Sequence, residues 1–185
     1  MKILIATNNQ AKFDIISKMI YSILGNDIDI SNLNSYQNFI EIPEKGNNIE
    51  RARDKAINAK SQIKDKFDYI LGIDDGIIIN NEEFAAVKEH LYDLVVGDKV
   101  KIGSKIYITR AYYLISSDGE EKSCYNKIPY IVQKKLDSFE KVGYPLNSVI
   151  STIDNDIVLS SRKVDELNEY FLRYSIEDLK KLFDK

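Results

Sequence analysis

The apolar run Ile3-Leu4-Ile5 leads without a break into Ala6-Thr7-Asn8-Asn9-Gln10-Ala11-Lys12, and a helical pattern follows at once. A buried strand that delivers hydroxyl, amide and ammonium groups to a helix start commits the chain to a β-then-α unit. It also creates a place for an anion, because unsatisfied backbone N–H groups and the positive end of the helix dipole point there. Read alone, the same residues are equally an ordinary strand-to-helix turn in which Asn8 or Asn9 caps the helix.

The rest of the N-terminal half repeats the alternation. Residues 2–6 read as a strand, and Phe13, Ile16, Ile20 and Ile23 recur at helical spacing up to Gly25. Ile28 and Ile30 suggest a second short strand, followed by a polar loop to Pro43. From Asn48 to about Lys66 the residues Ile49, Ala52, Ala56, Ala59 and Ile63 form one apolar stripe, which predicts a helix. Tyr69-Ile70-Leu71-Gly72-Ile73 is then an uninterrupted apolar run, the pattern of a strand buried on both faces. Such alternation predicts an α/β layer architecture with part of the sheet parallel, and ligands in such sheets sit beyond the carboxyl ends of the strands. Thr7 to Lys12 and the pair Asp74-Asp75 both follow strands, so both polar clusters are expected at one crevice. Val100–Ile102, 105–108 and 111–115 predict antiparallel ribbons with a turn at Ser117-Asp118-Gly119; Gly143-Tyr144-Pro145 predicts a turn, and Val164 to Phe183 an amphipathic helix. With no repeat and no linker, residues 1–185 are expected to form a single domain.

Charge and cysteine usage narrow the function classes. A formal charge of −3 over 185 residues offers no basic field for nucleic acid or a membrane surface, whereas a small anion needs only a local patch. One cysteine, Cys124, cannot close an intrachain disulfide, and neither a leader-like start nor an apolar stretch of spanning length is visible, so a cytoplasmic location is expected. Adjacent carboxylates at Asp74 and Asp75, followed by Gly76 for a sharp turn, are costly unless they are solvated or neutralised. A hard divalent ion such as Mg²⁺ would neutralise them through oxygen ligands, and Glu44, between Pro43 and Gly46, is a third candidate. The charge run Glu50, Arg51, Asp54 and Lys55 reads by itself as a solvated helix face. His90 reads as a packed or surface residue, Cys124 as a small strand residue, and the tyrosines at 107, 112, 113, 125 and 130 as ribbon packing.

Taken in order, these segments resemble the inosine triphosphate pyrophosphatase family, which hydrolyses non-canonical purine nucleoside triphosphates such as ITP, dITP and XTP to the monophosphate and pyrophosphate. The motif Thr-x-Asn-x-x-Lys is present as Thr7, Asn9 and Lys12, and Glu-x-Gly as Glu44-Lys45-Gly46. The helix motif Glu-Asn-Ala-x-x-Lys-Ala appears as Glu50 to Ala56 with Arg51 in place of asparagine, and Asp-Asp-Ser-Gly appears as Asp74-Asp75-Gly76 without the serine. The resemblance implies an elongated mixed sheet with flanking helices, two lobes around a central cleft, and a homodimer. It implies that Thr7, Asn8, Asn9, Lys12 and Lys55 hold the triphosphate, that Glu44 and Asp75 bind Mg²⁺, that Asp75 orients or deprotonates the attacking water, and that Asp74 supports the site. Departures gather where the family reads the base. The Ser-Ala-Arg and Ser-His-Arg segments are absent, Arg173 is the one basic candidate near the C-terminal helix motif, and Gly143-Tyr144-Pro145 echoes the family's Phe-Gly-Tyr-Asp-Pro loop with Tyr144 as a base contact. The same residues therefore also admit a catalytically impaired nucleotide-binding or protein-interaction module on that scaffold.

Overall fold

A computed structural model describes residues 1–138 and 145–184. The strands are β1 (Lys2–Ala6), β2 (Asp29–Asn32), β3 (Tyr69–Ile79), β4 (Glu82–Phe84), β5 (Lys105–Ser116), β6 (Glu121–Val132) and β7 (Ile150–Thr152). The α-helices are α1 (Gln10–Leu24), α2 (Asn48–Gln62), α3 (Leu91–Val95) and α4 (Val164–Phe183). The strands hydrogen-bond in the order β2-β1-β3-β5-β6-β7, with β4 added to β3, giving a mixed sheet.

The chain groups into two compact units, one of Met1–Asp74, Arg110–Asn126 and Ser175–Lys185, the other of Asp75–Thr109 and Lys127–Tyr174. In the first, β1 pairs in parallel with β2 (Lys2 opposite Asp29) and with β3 (Ile3 opposite Tyr69). Even-numbered residues of β1 face one side: Leu4 and Ala6 pack with Leu33 of the following segment and with Ala59 of α2. On the same side Ala52 and Ala56 of α2 meet Ala111, Tyr113 and Ile115 of β5. Small residues let α2 lie close to the sheet. At Gly72 a Cβ would sit 1.9 Å from the Ala52 carbonyl oxygen, so β3 and α2 touch backbone to backbone there.

In the second unit, β3 ends by turning through Asn80 and Asn81, both at positive φ (52° and 66°), into β4, with Ile77 opposite Phe84. Two left-handed residues in a two-residue connection make the primed turn that matches strand twist, and Asn tolerates it best after Gly. The core here gathers Ile77, Leu94, Val100, Ile106, Ile128, Tyr130, Leu146 and Tyr170. Tyr170 of α4 donates its hydroxyl to the Pro129 carbonyl, and its burial raises its pKa.

Asp74-Asp75-Gly76 is no turn, because β3 continues through it to Ile79. The continuous apolar residues Ile77-Ile78-Ile79 beyond the acids hold the backbone extended, and this outweighs the turn preference of Asp-Gly. Val100–Ile102 forms no strand: Lys101 to Gly103 turn, with Gly103 at φ +84°, while the two ribbons expected at 105–108 and 111–115 are one strand, β5. The helix expected to reach Lys66 stops at Gln62, where Ile63 turns extended. β7 carries only three residues and no alternation the sequence could display. The Gly143-Tyr144-Pro145 expectation lies outside the described residues apart from Pro145, which opens a short 3₁₀ turn.

Candidate phosphate and metal site

The loop after β1 is pinned from both ends. Thr7 is buried, its hydroxyl accepts the Asn9 N–H at 3.2 Å, and its carbonyl accepts Leu33 N–H at 3.1 Å. Asn9 caps α1, its side-chain oxygen accepting the Lys12 N–H at 3.1 Å. The capping role and the anion role are compatible, since one side chain satisfies only one of the orphan amides at a helix start. Asn8 is exposed, and its side-chain amide donates to Glu41 Oε1 at 2.6 Å.

The second part of the site is the entrance to α2. Asn47 caps it and forms a capping box with Glu50: Asn47 Oδ1 accepts Glu50 N–H at 3.0 Å, and Glu50 Oε2 accepts Asn47 N–H at 2.8 Å. Gly46 precedes the cap at φ +77°, and a Cβ on it would come within 2.1 Å of Glu50 Oε2. The left-handed backbone favours glycine here, and a side chain would push the Glu50 carboxylate out of the capping box. One turn into α2, Arg51 donates Nε to the Gly46 carbonyl at 3.1 Å and Nη1 to Glu44 Oε2 at 3.3 Å. Four residues on, Lys55 Nζ meets the other oxygen of the same carboxylate, Glu44 Oε1, at 2.7 Å. The i, i+4 spacing puts both cations on one face of α2.

Lys55 also reaches the sheet. Its Nζ lies 2.5 Å from Asp74 Oδ1 and 3.5 Å from the Ile73 carbonyl. Asp74 shares the pleat face of Ile70 and Gly72, the face that α2 covers, whereas strand alternation turns the half-buried Asp75 to the other. The result is a carboxylate–ammonium–carboxylate chain, Glu44–Lys55–Asp74, with Asp74's side chain 5% exposed and Glu44's 48%.

Burial opposes charge on Lys55, but the Asp74 and Glu44 carboxylates outweigh it and hold the ammonium above the ordinary lysine pKa. Burial lifts the Asp74 carboxyl above its usual range; Lys55 pulls it back and the charge of Glu44 adds to the lift. Against its own partial burial Glu44 is held below the usual range by Lys55, Arg51 and Lys12. Lys12 thereby acts on both carboxylates and links the β1 loop electrostatically to Lys55.

Asp74 Oδ2 is buried without a hydrogen-bond partner. A buried carboxylate oxygen in that condition costs free energy until water, a proton or a cation meets it. No group of three or more His, Cys, Asp or Glu side chains is arranged to hold a metal among the described residues. The carboxylate oxygens of Glu44 and Asp74 are the hard donors Mg²⁺ takes, an ion commonly bound by one or two carboxylates with waters and substrate phosphates filling the remaining positions.

The other sequence candidates stand elsewhere. Arg173 of α4 pairs with Asp154 at 2.9 Å and lies over the Tyr170 ring. Tyr144 lies outside the described residues. His90 stacks at 4.0 Å on Phe84, and Cys124 is a half-buried residue of β6 whose thiol pKa burial pushes up to about 12, which keeps it unreactive at neutral pH. Arg51 reads in the sequence as a solvated charge, and Glu41 carries no pattern that marks it, yet they pair with Glu44 and Asn8 respectively. The one local signal for Arg51 is its place one helical turn before Lys55 behind a Pro-Glu-x-Gly loop.

Comparison with known proteins finds the architecture but no sequence relative. No family model matches the chain, and no curated protein matches it. Among solved structures, the nucleoside-triphosphatase / dITP/XTP pyrophosphatase of Mycobacterium abscessus is similar over 100% of both chains, with a TM-score of 0.61 and 16% identity. The Ham1 protein of Staphylococcus aureus is similar over 98% of this chain and 96% of its own, with a TM-score of 0.61 and 16% identity. The HAM1 protein of Coxiella burnetii is similar over 98% of both chains, with a TM-score of 0.67 and 14% identity. At these identities the likeness shows a shared fold, and it spans 96–100% of these three neighbours.

Proposed function

We propose that this chain hydrolyses nucleoside triphosphates to the monophosphate and pyrophosphate, with non-canonical purine nucleotides (ITP, dITP, XTP) as its substrate class. The observation that carries the reading is the braced ammonium of Lys55, held between Asp74 and Glu44 within the electrostatic reach of Lys12. This arrangement stands on a fold shared with a dITP/XTP pyrophosphatase. Thr7, Asn8, Asn9, Lys12 and Lys55 bind the triphosphate; the cations localise phosphate charge, and the cap residues aim backbone N–H groups at it. Asp74 keeps Lys55 protonated and oriented. Glu44 and Asp75 would hold Mg²⁺, which when bound would supply charge stabilisation to phosphate oxygens. Asp75 orients the attacking water and accepts its proton. Tyr144 and Arg173 contact the base. We further propose a cytoplasmic homodimer; no helix among the described residues is long and apolar enough to cross a membrane.

The second reading, a nucleotide-binding or protein-interaction module without turnover, is favoured by the engagement of Arg173 with Asp154. Pyrophosphate release from canonical and deaminated triphosphates, with and without Mg²⁺, separates the two. The enzyme reading expects metal-dependent release that falls by at least about a hundredfold in Asp75→Asn and Lys55→Ala, the scale set by loss of a general base or a charge-stabilising group. Silence across the panel with retained nucleotide binding supports the module.

A further inference from the structure

Glu44 belongs to an exposed loop, yet both of its carboxylate oxygens are engaged by cations from one face of α2: Lys55 Nζ at Oε1 (2.7 Å) and Arg51 Nη1 at Oε2 (3.3 Å). An ammonium and a guanidinium bridged by two oxygens of one anion is an arrangement in which such groups also hold two oxygens of a phosphate. The side chain of Arg51 is only 15% exposed, and its Nε bond to the Gly46 carbonyl fixes the fork's direction. Gly46 and the capping box in turn fix that carbonyl. Asparagine, which the resembled motif carries at this position, is too short to span the same distance. Arg51 is therefore a feature of this chain rather than of the motif.

We propose that Arg51 is an additional phosphate-binding residue, and that Glu44 stands in for the polyphosphate until a substrate displaces it. This rests on the nucleotide reading above and sharpens it: the substrate class is recognised chiefly through its polyphosphate chain, with Arg51 and Lys55 as the fork. Displacement also frees the Glu44 carboxylate from its two cations at the moment a phosphate-bound cation needs oxygen ligands. Binding of phosphate and release of Glu44 are thus a single exchange of anions.

The test is calorimetric titration of inorganic tripolyphosphate, which has no base, into the metal-free protein. Wild type is expected to bind. Arg51→Asn should bind about tenfold more weakly, the scale of one lost charge-assisted contact, with Arg51→Lys in between because it keeps the charge and loses the fork. Glu44→Gln should bind more tightly than wild type, since the competing anion is gone; a merely structural role for the loop would not strengthen binding. Thermal melts identify any variant whose fold is disturbed. Failure of wild type to bind, unchanged affinity in Arg51→Asn, or weaker binding in a well-folded Glu44→Gln overturns the proposal. Tripolyphosphate binding with this pattern, but without nucleotide hydrolysis, upholds Arg51 and retires the hydrolase reading alone.

Discussion

At the scale of single residues, Glu44 is the group whose state decides how the site presents itself. Its pKa lies below the usual carboxylate value because Lys55, Arg51 and Lys12 outweigh its partial burial. A carboxyl with a folded pKa below its unfolded one lends stability that is present above the unfolded value and is lost as pH falls through the folded one. Lys55 works in the opposite direction: its folded pKa is raised, so its contribution is intact through neutrality and is lost as pH climbs beyond the lysine range. Glu44→Gln should therefore lower the melting temperature at neutral pH, and the difference from wild type should shrink on acidification below about pH 4. Melting curves at pH 7 and pH 3 check this; a difference that persists unchanged at pH 3 would show that the Glu44 charge is not what ties the loop to α2. Thr7, Asn9, Lys12, Glu44 and Asp74 stand out in the sequence through the motifs they resemble, and the Asn9 cap through local geometry as well. The pairing of Arg51 with Glu44 and of Lys55 with Asp74 does not, because each depends on which face of an element a distant partner covers.

At the scale of elements, the contact between β3 and α2 carries the site. Gly72 brings the strand against the Ala52 carbonyl, and two residues later the same pleat face presents Asp74 to Lys55, one helical turn beyond Arg51. Replacing Gly72 with alanine puts a Cβ 1.9 Å from a backbone oxygen that cannot rotate away. The helix must move outward, at a cost of about 1–3 kcal/mol by analogy with overpacked cores, and Lys55 must move with it. Chemical denaturation should register the loss of stability, and tripolyphosphate affinity should fall with it. Full stability in Gly72→Ala would contradict the backbone contact. α1, β1 and α4 were legible in sequence because long periodic patterns and a glycine stop leave little choice. The passage of β3 through Asp74-Asp75-Gly76 was not, since the turn chemistry of Asp-Gly is local and the strand pairing that overrides it is tertiary.

At the scale of the molecule, two compact units are built from a chain that enters each more than once. The first contains Thr7, Asn8, Asn9, Lys12, Glu44, Arg51, Lys55 and Asp74, so the ion-paired cluster of Glu44, Arg51, Lys55 and Asp74 is assembled within one unit, and Asp75 opens the second. The fold is similar over 98–100% of this chain to a dITP/XTP pyrophosphatase and two Ham1 proteins at 14–16% identity, so the architecture stands in a sequence that no family model matches. The motifs that resemble a phosphate site stand out in the sequence because phosphate chemistry restricts the residue types that can serve it; a pocket read by shape leaves no such pattern, because it can be lined in many ways. Phosphorus NMR of a reaction with ITP and Mg²⁺ addresses the central claim most directly, with Lys55→Ala as the control. Hydrolysis at the α–β bond predicts equal yields of monophosphate and pyrophosphate from wild type and neither from the variant. The nucleoside diphosphate with orthophosphate, or products undiminished in Lys55→Ala, would contradict it.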